Sequence, residues 1–319
     1  MKFCNSLLRL LITGGLGFIG SHLVDSLSKK SYKIKILTKT LAKKDNITNS
    51  HNVQIEKIDL VNFKRLGQII EKFKPDIIIH LAGNTSHSKS FEEPLEDIDS
   101  NAKTTLFMLE KIRELGLSCK FVFGSTFIVI GRPKKLPVTE NTPCNPTTIY
   151  GTNRLASEHY CKIYHDVYGI DTVVFRITNS FGPREQIIPS KNAVNYLIHS
   201  AFKGNTVTIY NRGKFFRDLI YISDVVSGIK TIMNKGKPGE LYWISSGEKT
   251  WFYELANLLG KLTNCKVKFV ATPRYTKKTD VGNFVVDNSK LKSIGWKPKI
   301  SVKDGIKKTL EYFEDSNLK

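Results

Sequence analysis

The sequence predicts an α/β fold in which a doubly wound parallel sheet is followed by a smaller C-terminal substrate-binding lobe. Three features carry that prediction. Short apolar runs alternate with amphipathic segments from the N-terminus onward, a pattern that implies parallel strands joined by crossover helices. A glycine loop, TGGLGFIG over residues 13–20, joins the first apolar run to the first amphipathic segment. Beyond Ile177 the texture changes to loops and short strands, which suits a lobe that covers a substrate.

Taken in order, LRLLIT reads as the first strand, SHLVDSLSKK as the helix leaving the glycine loop, and KIKILT as the second strand before a basic loop. VQIEKIDL, FKRLGQIIEKF and DIIIHLAG supply a third strand, a helix and a fourth strand. TTLFMLEKIRELG is an amphipathic helix with Leu106, Leu109 and Ile112 on its apolar face, and KFVFGS is a buried strand. A Pro-rich loop, PKKLPVTENTPCNP, leads to a long helix from Tyr150 to about Tyr168 and then to the strand TVVFRI. At least six parallel strands thus fit within roughly the first 180 residues. Residues 7–177 form the predicted sheet domain and 178–319 the lobe; segment 217–235, strand then helix, is expected to return to the sheet domain. LYWISSG, the helix WFYELANLLGKL and a final helix after SIGWKP fall in the lobe on this reading. No internal repeat or low-complexity tract interrupts the pattern.

Bulk properties narrow the function. With 319 residues, 40% hydrophobic and 24% charged, the chain has an ordinary soluble globular composition. The net charge of +20 is scattered along the sequence rather than gathered on one stripe with interleaved aromatics, which argues against a nucleic-acid footprint. A generally positive surface still attracts an anionic substrate such as a nucleotide diphosphate. Five cysteines without any CxxC or Cys/His cluster point to reduced, buried thiols in a cytoplasmic protein and to no metal site. The N-terminal LLRLLI superficially resembles a signal peptide, but Arg9 interrupts it and no small-residue cleavage site follows. No stretch approaches about 18 uninterrupted apolar residues, so no membrane span is expected.

The glycine loop is the first chemical signal. Gly14, Gly17 and Gly20 fall three apart, and Gly15, Gly17 and Gly20 satisfy GxGxxG between a strand and a helix that opens near Ser21. In that βαβ context the spacing is a Rossmann-type dinucleotide fingerprint: a tight turn, close backbone approach to a pyrophosphate, and close packing of helix on strand. An acid that takes the adenosine ribose is expected about 20 residues on. The sequence offers Thr38 and Lys39 there, which leaves NAD and NADP both open.

With these motifs and YGTNR at 150–154, the chain resembles the extended short-chain dehydrogenases/reductases of the nucleotide-sugar epimerase/dehydratase type over nearly its whole length. The resemblance implies that Gly14, Gly17, Phe18, Ile19 and Gly20 hold the dinucleotide, with Asp59 and Leu60 at the adenine and Leu81, Ala82 and Gly83 lining it after the fourth strand. Asn101 begins the next helix, where Thr104 stands in place of a usual glycine. Thr126 occupies the catalytic hydroxyl position with Ser125 just before it, and both are expected at the substrate together with Thr85. Phe127 and Ile128 follow where the family's dehydratases carry acids, which argues against dehydration. Asn179 and Arg217 fall where the family contacts the nucleotide diphosphate, Lys277 where a second clamp is usual, and SKLKSIGWKP matches the closing segment. The family also implies a homodimer through the Asn101 and Tyr150 helices.

The chemistry implied is removal of a sugar hydroxyl proton by Tyr150, assisted by Thr126, with hydride passing to a nicotinamide. A free phenol has a pKa of about 10, and a cation one helical turn away is expected to lower it by roughly 1–3 pH units. The family mostly supplies that cation as lysine, which also bonds the nicotinamide ribose. Here it is Arg154, which keeps the charge but has a bulkier planar fork. Three readings follow: a nucleotide-sugar epimerase acting through a 4-keto intermediate, an NADPH-dependent 4-keto-sugar reductase, and a non-catalytic dinucleotide-binding sensor or scaffold.

Overall fold

The structure, a computed structural model, describes residues 7–48, 51–188, 193–271 and 280–316. Six strands follow the expected order: β1 (Leu8–Thr13), β2 (Tyr32–Thr38), β3 (Val53–Lys57), β4 (Ile77–His80), β5 (Lys120–Thr126) and β6 (Thr172–Ile177). Between them run α1 (Phe18–Leu27), α2 (Phe63–Phe73), α3 (His87–Glu92), α4 (Pro94–Ile98), α5 (Thr104–Glu114) and α6 (Ile149–Tyr168). A π-helical stretch, Asp99–Lys103, links α4 to α5. The central strands are buried on both faces: four successive residues of β1, Leu10 to Thr13, are fully buried, as the near-continuous apolar run of a parallel strand requires.

The second part of the chain contributes β7 (Asn179–Phe181), α7 (Ala193–Phe202), β8 (Val207–Tyr210), β9 (Phe216–Arg217), β10 (Leu219–Tyr221) and α8 (Ile222–Lys235). After them come β11 (Leu241–Ile244), β12 (Thr250–Trp251), α9 (Phe252–Thr263), β13 (Val267–Val270), α10 (Ser289–Ser293) and α11 (Val302–Asp315). The main sheet has seven parallel strands in the order β11-β6-β5-β4-β1-β2-β3. Its edge strand β11 is LYWI, which the sequence reading left in the lobe. Leu241 to Ile244 register against Val174 to Ile177, and Tyr242, Trp243 and Ile244 are buried. Helix α8 packs on α1 and β6 and leads into β11, while β9 and β10, at the start of segment 217–235, pair with β12 and β7 outside the main sheet. The lobe proper is held by three two-stranded pairings, β7 with β10, β8 with β13 and β9 with β12.

One apolar core joins α1, α8 and one face of the sheet to the lobe, and a second lies under α2, α5 and α6. A third, smaller cluster gathers Ile128, Val129, Ile130, Val138, Tyr150, Trp243 and Phe284 behind the end of β5. Strand order reverses between β1 and β4, where successive crossovers go to opposite sides. The glycine loop leaves β1 there and HLAG leaves β4, so the crevice outside those carboxyl ends is where this fold binds ligands.

Candidate active site

At the head of β1 and β4 a small buried network sets the two loops against each other. Thr13 Oγ1 accepts the Leu81 and Ala82 N–H groups at 3.2 and 3.1 Å, so its own proton goes to His80 Nδ1 at 2.7 Å. His80 is fully buried between the Phe121 and Phe123 rings, and burial drives its pKa down to about 3. It is therefore a neutral ring that positions Leu81, Ala82 and Gly83, a role the sequence reading did not see.

The glycine loop fits a dinucleotide. Gly17 N–H turns back to Gly14 O at 3.0 Å, and α1 begins with no side-chain cap and no acid in its first turn. The N–H groups of Phe18, Ile19 and Gly20 thus keep the helix N-terminus available for an anion such as a pyrophosphate. A Cβ on Gly20 would lie 2.2 Å from Gly14 O, so only glycine lets the helix close on its loop. Thr38 is buried and donates to Thr40 O. Lys39 pairs with Asp59 at 2.7 Å in an exposed contact, so the cation and the acid expected at the adenosine end form one unit. Burial opposes ionisation of Asp59, but its bonds from Lys39 and Val61 N–H hold the carboxyl below the usual range. Leu60, half-buried, packs on the second core.

The expected catalytic residues converge. Thr126 ends β5, Tyr150 and Arg154 lie one turn apart at the start of α6, and the helix is capped by Thr148, whose Oγ1 accepts from Gly151 N–H at 3.0 Å. Thr126 hydrogen-bonds the Tyr150 hydroxyl, and Tyr150 is only 6% exposed. The electrostatics differ from the sequence expectation. Burial raises the pKa of the phenol above its ordinary value, and the nearby charge of Arg154 and the Thr126 bond offset this only in part.

Arg154 is itself buried; both of its terminal nitrogens are engaged, while Nε is buried without a hydrogen-bond partner among the described residues. Nη1 donates to Ala82 O at 3.4 Å and Asn101 Oδ1 at 3.2 Å, Nη2 donates to Gly124 O, and the guanidinium stacks 4.5 Å over Phe123. Asn101, in the π-helical stretch, therefore clamps the arginine as well as flanking Gly83, whose Cβ would meet Asn101 Oδ1 at 2.2 Å. Thr104, the departure from glycine, is buried and donates to Asp99 O across the same widened turn.

Substrate-side residues are less uniform. Ser125 does not face a free space: it donates to Glu158, which also pairs with Arg176 at 2.6 Å, both partners buried. Arg217 is buried and bonded to Asp280, Gly282 O and Phe216 O, so its fork is occupied within the protein. Asn179 stands on β7 with its Oδ1 buried and unpartnered, and Thr85 is exposed on the loop after β4. Lys277 lies outside the described residues. Phe127 and Ile128 belong to the apolar cluster, Phe127 meeting Phe284 edge-on with centroids 5.2 Å apart, so the two residues that follow Thr126 in the chain are apolar. A cleft of about 900 Å³ lies beside Arg132, Arg212, Asp280 and Gly282.

A family model for GDP-mannose 4,6 dehydratase matches residues 11–309. The chain belongs to the NAD-dependent epimerase/dehydratase family of extended short-chain dehydrogenases/reductases. Within this family it is 32% identical over 316 residues to a Methanocaldococcus jannaschii protein provisionally named a UDP-glucose 4-epimerase, covering 97% of this chain and 99% of that one. The UDP-glucose 4-epimerase of Thermotoga maritima, solved with UDP-glucose, superposes with a TM-score of 0.90 at 29% identity over 97% of this chain and 100% of that one. The Thermus thermophilus UDP-glucose 4-epimerase, solved with NAD, gives 0.87 at 28% identity over 96% and 99%. Among the described residues no helix is long and apolar enough to cross a membrane, and no cluster of His, Cys, Asp or Glu is arranged to hold a metal.

Several functional neighbours escaped the sequence reading. Asp97 is buried and takes the amides of Asn84 and Asn153, each at 2.7 Å, tying the loop after β4 to the YGTNR turn. Glu158 falls one helical turn beyond Arg154, so its place on that face was readable from spacing. His87, the first residue of α3, stacks on the Tyr150 ring with centroids 5.6 Å apart and planes 25° apart. No spacing rule connects residues 87 and 150.

Proposed function

We propose that this chain is an NAD(P)-dependent nucleotide-sugar epimerase that works through a 4-keto intermediate. The observation that carries this reading is the Thr126–Tyr150 hydroxyl pair set against an apolar Phe127–Ile128 wall. Such a site can accept a proton from a sugar hydroxyl but has no acid on that wall to drive elimination.

The dinucleotide would be held by the uncapped α1 N-terminus, the Leu81–Gly83 loop, Asn101 and the Lys39–Asp59 pair. When bound it supplies a reversible hydride acceptor, which is the redox half of epimerisation. Lys39 is already balanced by Asp59, which supports NAD over a cofactor bearing an additional phosphate. Tyr150 removes the sugar hydroxyl proton, Thr126 holds the reacting oxygen, and Arg154 supplies a fixed positive charge beside the phenol. Arg217, released from Asp280, and Asn179 would receive the diphosphate. Apolar residues on the outward face of α6, Ile163, Val167 and Tyr168, suit a second copy of the chain.

The test is to incubate the purified chain with UDP- and dTDP-hexoses and NAD and to follow both sugar configuration and nicotinamide absorbance. Interconversion at C4 without net reduced nicotinamide supports the epimerase, with Tyr150→Phe inactive. Net consumption of NADPH with a 4-keto-sugar would establish the reductase instead. Dinucleotide binding without turnover on any sugar would support the sensor reading.

A further inference from the structure

We propose that Glu158 is a positioning residue: by taking the Ser125 hydroxyl while paired with Arg176, it fixes helix α6 against the end of β5 and so sets the separation of Thr126 and Tyr150. This rests on the proposed sugar oxidation, in which those two hydroxyls meet the reacting oxygen. Ser125 then belongs to the frame of the site rather than to its substrate face.

One helix face interlocks with three consecutive strand residues. Tyr150, Arg154 and Glu158 lie four apart on α6 and share a face. Gly124, Ser125 and Thr126 end β5. Arg154 Nη2 donates to Gly124 O, Ser125 Oγ donates to Glu158 Oε1, and Thr126 bonds the Tyr150 hydroxyl. The first two contacts act on the residues just before Thr126, so sliding α6 along β5 breaks them together with the hydroxyl pair.

The middle contact is braced from the next strand. Arg176 on β6 is the register partner of Ser125, and it donates to Glu158 through Nε at 2.9 Å and Nη2 at 2.6 Å. The guanidinium lies 5.4 Å from the centre of the Trp243 ring on β11, and Nη2 also reaches Cys144 Sγ at 3.1 Å. Ser125, Glu158 and Arg176 are all more than nine-tenths buried, at 6%, 7% and 3% exposure. Desolvation offsets much of what a buried ion pair gains, so the pair is a weak source of net stability. A carboxylate that accepts from two strands at once is a strong source of fixed geometry, because it can only accept and so orients both donors.

Ser125→Ala removes the strand end of the brace and leaves the Glu158–Arg176 pair in place. The expected result is about a tenfold loss of kcat, the size of effect a small misplacement of reacting groups produces, with little change in KM or in Kd for NAD. Ser125→Cys keeps a weak donor of similar size and should recover part of the loss. Glu158→Asp keeps the charge opposite Arg176 but draws the carboxylate back by a methylene. It should lower kcat in the same way, and combined with Ser125→Ala the two losses should not multiply. A readout independent of turnover is carbon NMR of Tyr150 Cζ, identified by its absence from Tyr150→Phe. In protein without substrate, Ser125→Ala should shift this resonance as the bond to Thr126 slackens, whereas a packing role away from the hydroxyl pair leaves it in place. An unshifted resonance, an unchanged kcat, or losses that multiply in the double variant overturn the proposal. So does a loss confined to KM, which would return Ser125 to the substrate face. Absence of any sugar turnover by the unmodified chain would instead remove the proposed function, while the Tyr150 resonance still decides whether Ser125 governs the hydroxyl pair.

Discussion

Arg154 shows how one side chain can be both legible and misleading in a sequence. Its position was plain from YGTNR, and so was its charge. Its partners were not, because Ala82 O, Gly124 O and Asn101 Oδ1 come from three segments that only the folded sheet brings together. The same holds for Tyr150: the neighbouring cation could be read one helical turn away, whereas the burial that outweighs it could not. The arginine is thus a strut as well as a charge. An Arg154→Lys ammonium is a compact donor that cannot span the same three acceptors. We expect this substitution to leave at least one buried acceptor unpaired, costing roughly 1–3 kcal/mol of stability, and to lower kcat more than tenfold. Denaturant midpoints and steady-state kinetics on the same preparation check both. Higher activity with unchanged stability would mean that the arginine impairs an otherwise ordinary site.

The elements were more readable than their joins. The glycine loop announced itself because its constraint is local: strand, turn and helix are contiguous, and Gly20 must let α1 approach Gly14 O. The seventh strand did not, because LYWI is only four residues long, lies after a loop-rich stretch, and earns its place by pairing with β6, more than sixty residues earlier in the chain. α3 is similarly short, and nothing in its sequence shows that its first residue stacks on α6. The loop's local constraint gives a direct test. In Gly20→Ala the new methyl would sit 2.2 Å from Gly14 O and 2.8 Å from Gly15 Cα, both backbone atoms with little room to yield. We expect about 1–3 kcal/mol of destabilisation together with at least a tenfold loss of dinucleotide affinity. Titration calorimetry with NAD separates the two effects, since unfolding lowers the active fraction and loop distortion raises Kd.

At the scale of the whole molecule, buried ionisable groups couple folding to pH in ways that composition does not reveal. The +20 charge is a surface property, whereas His80 and Asp218 lie inside. His80 has a pKa of about 3 in the folded protein against 6.5 when free, because burial penalises the cation. Below 6.5 the unfolded chain therefore binds a proton that the folded state refuses, and stability falls as pH drops toward 3, by roughly 4–5 kcal/mol over the full interval. Asp218 acts in the opposite sense. Burial raises it to about 6 despite bonds from Ser246, Gly247 and Val286, so between about 6 and 3.8 the folded state is the one that gains the proton and stability rises as pH falls. The two contributions largely cancel in that interval, so together His80 and Asp218 change stability little between pH 6 and 4, and below that range only the His80 loss continues. His80→Phe removes the first contribution, and the new ring would lie between Phe121 and Phe123 while Thr13 Oγ1 keeps its two N–H donors. Relative to the unmodified protein, the variant should therefore gain stability as pH falls from 6 to 4. Urea unfolding across that range measures the difference, and parallel curves for the two proteins would show that His80 is not a neutral ring in the folded state.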